Sequence, residues 1–177
     1  PQAQAVAVAR HLLAHGIQFR VLTSPLRDDQ ARAFVADRVQ FSPGSVEGHQ
    51  RTTLTGAWTP QPARIAAGSL YVPIAQPKAR LLANILEPQA PDSMAAWGDF
   101  NNAFEQKEYM EGYVAEEEAR KMLARDPALK AEFERRLKND PAFAGSPGAR
   151  LDFFYRRHPA WDPGTNRYPV MRTDRVY

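Results

Sequence analysis

Apolar residues in the first stretch recur at helical spacing. Val6, Ala9 and Leu13 follow one track and Val8 and Leu12 another, so the sequence predicts a helix from Ala3 to His15 stopped by Gly16. Ile17 to Leu22 then reads as a strand. Up to about Pro73 the pattern shifts to short runs rich in Val, Phe, Thr and Tyr, namely Arg32 to Phe41, Gln50 to Trp58 and Ser69 to Ile74. Ser42-Pro43-Gly44, Pro60-Gln61-Pro62 and Ala67-Gly68 separate these runs with turn formers, and a small, mainly antiparallel sheet is expected.

Helical spacing returns after Pro77. Ala79, Leu82, Ala83 and Leu86 make one apolar face that Pro88 ends. Asp92 and Ser93 can cap a following helix from Met94 to Phe104, in which Trp97, Phe100 and Phe104 form an aromatic stripe aimed at a core. A polar helix is predicted from Tyr109 to Leu123, with Glu116, Glu117 and Glu118 close to Arg120 and Lys121. Asp126-Pro127 and Asp140-Pro141 share one grammar, an acidic cap followed by proline at the first helical position, where its missing N–H costs nothing. Leu129, Phe133 and Leu137 lie between them as an i, i+4, i+8 stripe. From Ser146 onward Pro, Gly and aromatic residues dominate, and an irregular tail with docked aromatics is expected.

These elements predict an α+β fold: an N-terminal helix and small sheet, then a helical part with an aromatic C-terminal tail. One domain over 1–177 is expected, with a change of character that divides it into subdomains 1–76 and 77–177. With 44% hydrophobic residues the chain can cover a core without staples, and its lack of cysteine removes disulfides, thiolate zinc sites and cysteine nucleophiles. Periplasm and cytoplasm both stay open on that count. No run approaches the roughly 20 apolar residues of a membrane span. The chain starts at Pro1, and any targeting signal is expected to lie outside it.

Charge is uneven along the chain. Up to Arg80 there are 9 Lys and Arg against 4 Asp and Glu; the rest holds 14 against 16. The early arginines are scattered and form no run, which argues against a nucleic-acid face.

Candidate chemistry is sparse. His11 and His15 are four apart on the first helix, but Leu12 stands where a zinc-peptidase helix needs its general base, and His15 adjoins the helix end, where a histidine suits the terminal carbonyls. His49 and His158 are isolated, and neither a serine elbow nor a glycine-rich phosphate loop is present. The sequence therefore offers no catalytic residue and no metal ligand set. Two polar groups stand out as candidate ligand or interdomain contacts. Arg156, Arg157 and His158 with Trp161 form either a carboxylate clamp beside an aromatic platform or a docked segment paired with Glu116 to Glu118. Gln76, Arg80 and Glu87, with Asp92, surround one helix and its two turns, where capping is the simpler role.

Several short segments in order carry a resemblance. Gly68-Ser69-Leu70-Tyr71-Val72-Pro73, Ala75-Gln76-Pro77, Leu86-Glu87-Pro88, Asp92-Ser93-Met94, Trp97-Gly98 and Phe100-Asn101, with His15-Gly16-Ile17 before them and Arg156-Arg157-His158-Pro159 and Tyr168-Pro169-Val170 after, resemble the C-terminal region of large bacterial zinc carboxypeptidase-like proteins. In those proteins a carboxypeptidase A-type domain lies upstream, binds zinc through a His-x-x-Glu pair and a later histidine, and uses a further glutamate as base. None of that pattern occurs in this sequence, so no catalytic residue carries over. The resemblance implies an accessory role beside an upstream peptidase domain of the same polypeptide, with zinc in that domain, a peptide as substrate and a periplasmic or secreted location. The competing expectation is an independent ligand-binding or interaction module that uses the basic, aromatic C-terminal segment.

Overall fold

The computed structural model describes residues 2–105, 110–162 and 164–177. The fold is α+β, with an N-terminal helix, small antiparallel sheets and a helical part toward the C-terminus. It divides into two compact units. The first comprises Pro1–Glu105 and Gly164–Tyr177, and the second is the intervening stretch Gln106–Pro163.

In the first unit, helix α1 (Gln2–Ala14) buries Val8 and Leu12, whereas Val6 and Leu13 are exposed. Of the two apolar tracks in the sequence, only the second faces the core. The helix ends in a Schellman motif: the Gly16 N–H bonds the Leu13 carbonyl at 2.9 Å and the Ile17 N–H bonds that of Leu12 at 2.8 Å. Gly16 has φ +62°, which glycine reaches without steric cost, and Ile17 and Leu12 meet in the core. The His15 carbonyl is taken by the Lys78 ammonium at 2.5 Å, not by the histidine ring.

Among the described residues every strand pairing is antiparallel. Strands β1 (Arg20–Val21) and β6 (Leu70–Tyr71) form one two-stranded ribbon, and β2 (Leu26–Asp28) and β5 (Ala63–Ile65) form another. The third sheet has the order β4-β3-β7, built from β3 (Arg32–Phe41), β4 (Thr52–Pro60) and β7 (Arg167–Arg172). A register shift between Ala36 and Arg38 bulges β3 at Asp37. The expected strands at 32–41 and 50–58 are present, those at 17–22 and 69–74 shrink to two residues each, and β2, β5 and β7 are additional.

Helix α2 (Ala79–Leu86) buries Leu82 and Ile85. The expected helix from Met94 to Phe104 does not form; this segment is a chain of turns closed by a short 3-10 helix, Asn101–Ala103. Gly98 explains the break. Its φ is +88°, incompatible with a right-handed helix, and it packs so close to the Gln50 carbonyl that a Cβ there would sit 2.4 Å from the oxygen. Met94, Phe100 and Phe104 still reach the core, where the Phe100 ring meets fully buried Tyr168 edge-on at 5.3 Å. Trp97 is not part of that stripe and lies half-buried beside Arg51.

The second unit contains helices α3 (Gly112–Arg125), α4 (Pro127–Asn139), α5 (Pro141–Gly145) and α6 (Pro147–Tyr155). Tyr109, the expected start of the polar helix, lies outside the described residues. Both Asp-Pro caps form. Asp126 accepts the N–H groups of Ala128 and Leu129 at 2.9 and 3.0 Å, and Asp140 accepts that of Phe143 at 3.0 Å. Ser146-Pro147 repeats the device, with the Ser146 hydroxyl oxygen accepting the Ala149 N–H at 3.2 Å. The stretch read as irregular thus begins with a capped helix, whose Phe153 and Phe154 pack with Phe133, Phe143 and Leu129 into a separate core.

The division between units does not follow the change of sequence pattern at 76/77. Helix α2 and the turns to Phe104 bury their apolar side chains on the same core as the sheet and β7, so the first unit extends to Glu105 and resumes at Gly164.

Candidate functional site

The two candidate sets belong to different units. Gln76 lies in the first, where its carboxamide mimics a strand partner. It accepts the Gln18 N–H at 2.8 Å and donates to the carbonyls of Gln18 at 3.2 Å and Pro73 at 2.6 Å. Glu87 receives the guanidinium of Arg172 through both oxygens, with the Nε to Oε1 distance 3.1 Å. Arg172 also lies over the Trp58 ring at 4.1 Å, so Glu87 ties the end of α2 to β7 and β4. Arg80 is exposed and makes no hydrogen bond or ion pair among the described residues.

In the second unit Arg156 pairs with Asp152 at 2.6 Å and faces the Trp161 ring at 5.5 Å, and Trp161 meets Tyr155 edge-on. Arg157 donates to Glu132 and to the Phe153 carbonyl, each at 2.8 Å, and lies 3.8 Å over the Phe153 ring. These arginines do not pair with Glu116 to Glu118. Glu116 pairs with Arg120, and Glu117 and Glu118 pair with Lys121. It is His158 that approaches Glu118, with Nε2 3.8 Å from Oε2 while Nδ1 accepts the Ala160 N–H. The hydrogen bond from Lys121 is the main cause that holds the Glu118 carboxyl below its ordinary range; partial burial opposes it, and the charges of Lys121, His158 and Arg125 add to the lowering. Each charged group of the Arg-Arg-His segment therefore has an intramolecular role as a brace.

A concave site lies elsewhere in the first unit, where the ends of β3 and β4 meet the turns after α2. The cleft holds about 480 Å³. Phe41, Leu54, Pro88, Pro91 and Ala96 supply apolar surface, and Gln40, Ser42, Arg51, Thr53 and Gln89 supply polar groups. This volume and mixture match small-molecule and peptide-side-chain sites, in which a few polar groups fix orientation over an apolar floor.

Arg51 is the one charged group of the lining. It donates to the Pro91 carbonyl at 2.6 Å and rests 4.2 Å from the centre of the Trp97 ring. The opposite constraints on Trp97 come from His49, edge-on at 5.7 Å, and from its indole N–H, which donates to Asp92 at 3.2 Å. A guanidinium held by one carbonyl and one ring face keeps further N–H groups for an acceptor in the cleft. Its two neighbours along the chain are fixed as well. Asn101 donates to the Gln50 carbonyl at 3.0 Å and accepts the Thr52 hydroxyl at 2.5 Å, while the Thr52 N–H bonds the Ala96 carbonyl. Buried Ser93 caps the turn by accepting the Ala96 N–H at 3.1 Å.

The sequence pattern did not single out Arg51 or the cleft. Arg51 is one of several dispersed arginines, and Trp97 reads as a core residue until Gly98 breaks the helix. Among the described residues no three His, Asp or Glu side chains come together as a metal-binding group, and no helix is long and apolar enough to cross a membrane. No protein-family model matches the chain, and no curated protein or solved structure shows significant similarity to it.

Proposed function

We propose that the chain is an accessory region of a zinc carboxypeptidase-like protein, and that its cleft holds part of a peptide whose hydrolysis takes place on an upstream zinc-binding domain of the same polypeptide. The observation that supports this reading is the placement of the family-like segments. Leu86-Glu87-Pro88 supplies a cleft wall through Pro88. Asp92-Ser93-Met94 and Trp97-Gly98 supply the hydrogen-bond partner of the indole, the turn cap and the ring on which Arg51 rests. Phe100-Asn101 pins the backbone on either side of Arg51. Pro88 lines the concavity, and the other segments hold its one cation, Arg51, and the backbone beside it in place, which is what a preformed binding surface requires.

The cleft suits binding better than chemistry. Its floor fits one apolar side chain, its hydroxyl and amide groups fit backbone amides, and Arg51 fits a carboxylate. In this reading the zinc, the water it activates and the general base belong to the upstream domain, and the periplasm or the cell exterior is the compartment.

The test uses the whole polypeptide and peptides with a free C-terminus. The expected result is release of C-terminal residues, with Arg51→Ala raising KM several-fold and leaving kcat within about two-fold, the signature of lost uniform binding. Absence of peptide hydrolysis, or an unchanged KM in the variant, overturns the reading. If hydrolysis is absent while backbone amide signals of Thr53 and Gln89 still shift with peptide, the chain is an independent binding module.

A further inference from the structure

The β2–β5 ribbon carries an unusual pairing. Arg27 and Arg64 stand directly opposite one another, flanked by the pairs Leu26 with Ile65 and Asp28 with Ala63. Directly opposed residues of antiparallel strands project from the same face, with Cβ atoms roughly 5 Å apart. Both arginines are exposed and their flanking pairs are buried or half-buried, so the two guanidinium groups leave the ribbon on its solvent side together. Like charges so placed repel, and a three-pair ribbon has little stability to spare.

Intramolecular compensation is incomplete. Asp29 engages only the Nε of Arg27, at 2.7 Å, with both side chains largely in solvent. Arg64 makes no ion pair or hydrogen bond among the described residues. On the inward face, Asp28 is 2% exposed and is turned away from both arginines. Burial pushes its carboxyl up, but hydrogen bonding by Thr173 and by the Gln30 N–H, together with Tyr177 and the Arg175 charge, brings it below its ordinary value, so this carboxylate is committed elsewhere. Between the arginines lies a concavity of about 350 Å³ whose lining is Pro25, Leu26, Arg27 and Arg64.

We infer that the Arg27–Arg64 pair is an oxyanion site, taking a phosphate or a carboxylate group of a ligand between the two guanidinium forks. The Nη groups of Arg27 and all five donors of Arg64 are available to it, and an anion placed there converts the cross-strand repulsion into two charge-assisted contacts. The proline beside the pair fixes the approach of the chain to β2 and limits the entropy lost on binding. This inference does not depend on the peptidase reading, because the site is separate from the cleft beside Arg51.

Thermal unfolding of the 177-residue chain in sodium phosphate, sodium glutarate and sodium chloride at matched ionic strength tests it, with the Arg Nε–Hε signals read in parallel. The expected result is a saturable rise in midpoint and a shift of the Arg64 signal with phosphate, with glutarate, or with both, beyond what chloride produces. A response to phosphate alone assigns a phosphate ligand, and one to glutarate alone assigns a carboxylate. Arg64→Gln is expected to weaken that binding by about ten-fold or more, the loss of charge-assisted hydrogen bonds. Arg64→Glu, which turns the opposed pair into an ion pair, is expected to raise the midpoint without any anion and to abolish the response. Equal effects of all three salts, or an undiminished response in Arg64→Gln, overturn the inference.

Discussion

The Tyr168 hydroxyl donates to the Leu86 carbonyl at 3.0 Å, across 82 positions of sequence. That carbonyl is one of the acceptors a helix leaves unpaired in its last turn. Another in the same helix, that of Ile85, is taken by the Met94 N–H at 3.0 Å. The end of α2 is thus closed by side-chain and loop partners, which lets it sit in the core beside β7.

Tyr168→Phe is expected to cost about 1–2 kcal/mol, because it leaves the Leu86 acceptor buried without its donor. The same variant isolates a pH effect. Burial, and then the charges of Glu87 and Asp99, push the Tyr168 phenol far above its ordinary value of 10.0. A raised folded-state value stabilises the protein fully below pH 10, where the phenol keeps its proton in both states. Above pH 10 the unfolded chain loses the proton first, so stability falls as pH rises. Urea unfolding between pH 8 and 11 should show a steeper alkaline decline in the parent than in Tyr168→Phe.

Gly98→Ala is expected to destabilise the first unit by about 2 kcal/mol or more. The alanine would have to adopt φ near +88° and place its Cβ against the Gln50 carbonyl. Because Gln50 and Trp97 flank the cleft cation, tryptophan fluorescence and peptide binding should change together. A variant with parental stability would show that the close approach is not a constraint.

Phe133→Ala is expected to cost about 3 kcal/mol. Its ring meets Phe143, Phe153 and Phe154 at centroid distances of 5.8, 5.5 and 4.8 Å, joining α4 to α5 and α6. The core around Tyr168 contains none of these residues. Hydrogen exchange should therefore speed up in α3 to α6 while the amides of β3 keep their protection. Equal loss in both places would contradict this separation.

Local grammar made much of the secondary structure legible. The Gly16 stop, the Asp126-Pro127 and Asp140-Pro141 caps, and the long β3 and β4 follow from residue preferences that act over a few positions. Ser146-Pro147 was readable by the same rule, but the surrounding Pro, Gly and aromatic residues masked it. Strand β7 was less accessible, since Pro169 interrupts the strand signal and an edge position tolerates it only once β3 is present as partner.

The sequence by itself determined the α+β class and the helix stops, because capping, turn formation and hydrophobic periodicity are local. Only the tertiary structure decided which arginines face a ligand-sized concavity and which serve as braces. Arg156 and Arg157 sit in the densest polar cluster, yet Asp152, Glu132 and aromatic rings occupy them; Arg51 and Arg64 look unremarkable in the chain. A guanidinium's role depends on which acceptors and rings the fold brings within a few ångströms, and that is set by contacts such as Arg51 with Trp97 and Arg27 opposite Arg64.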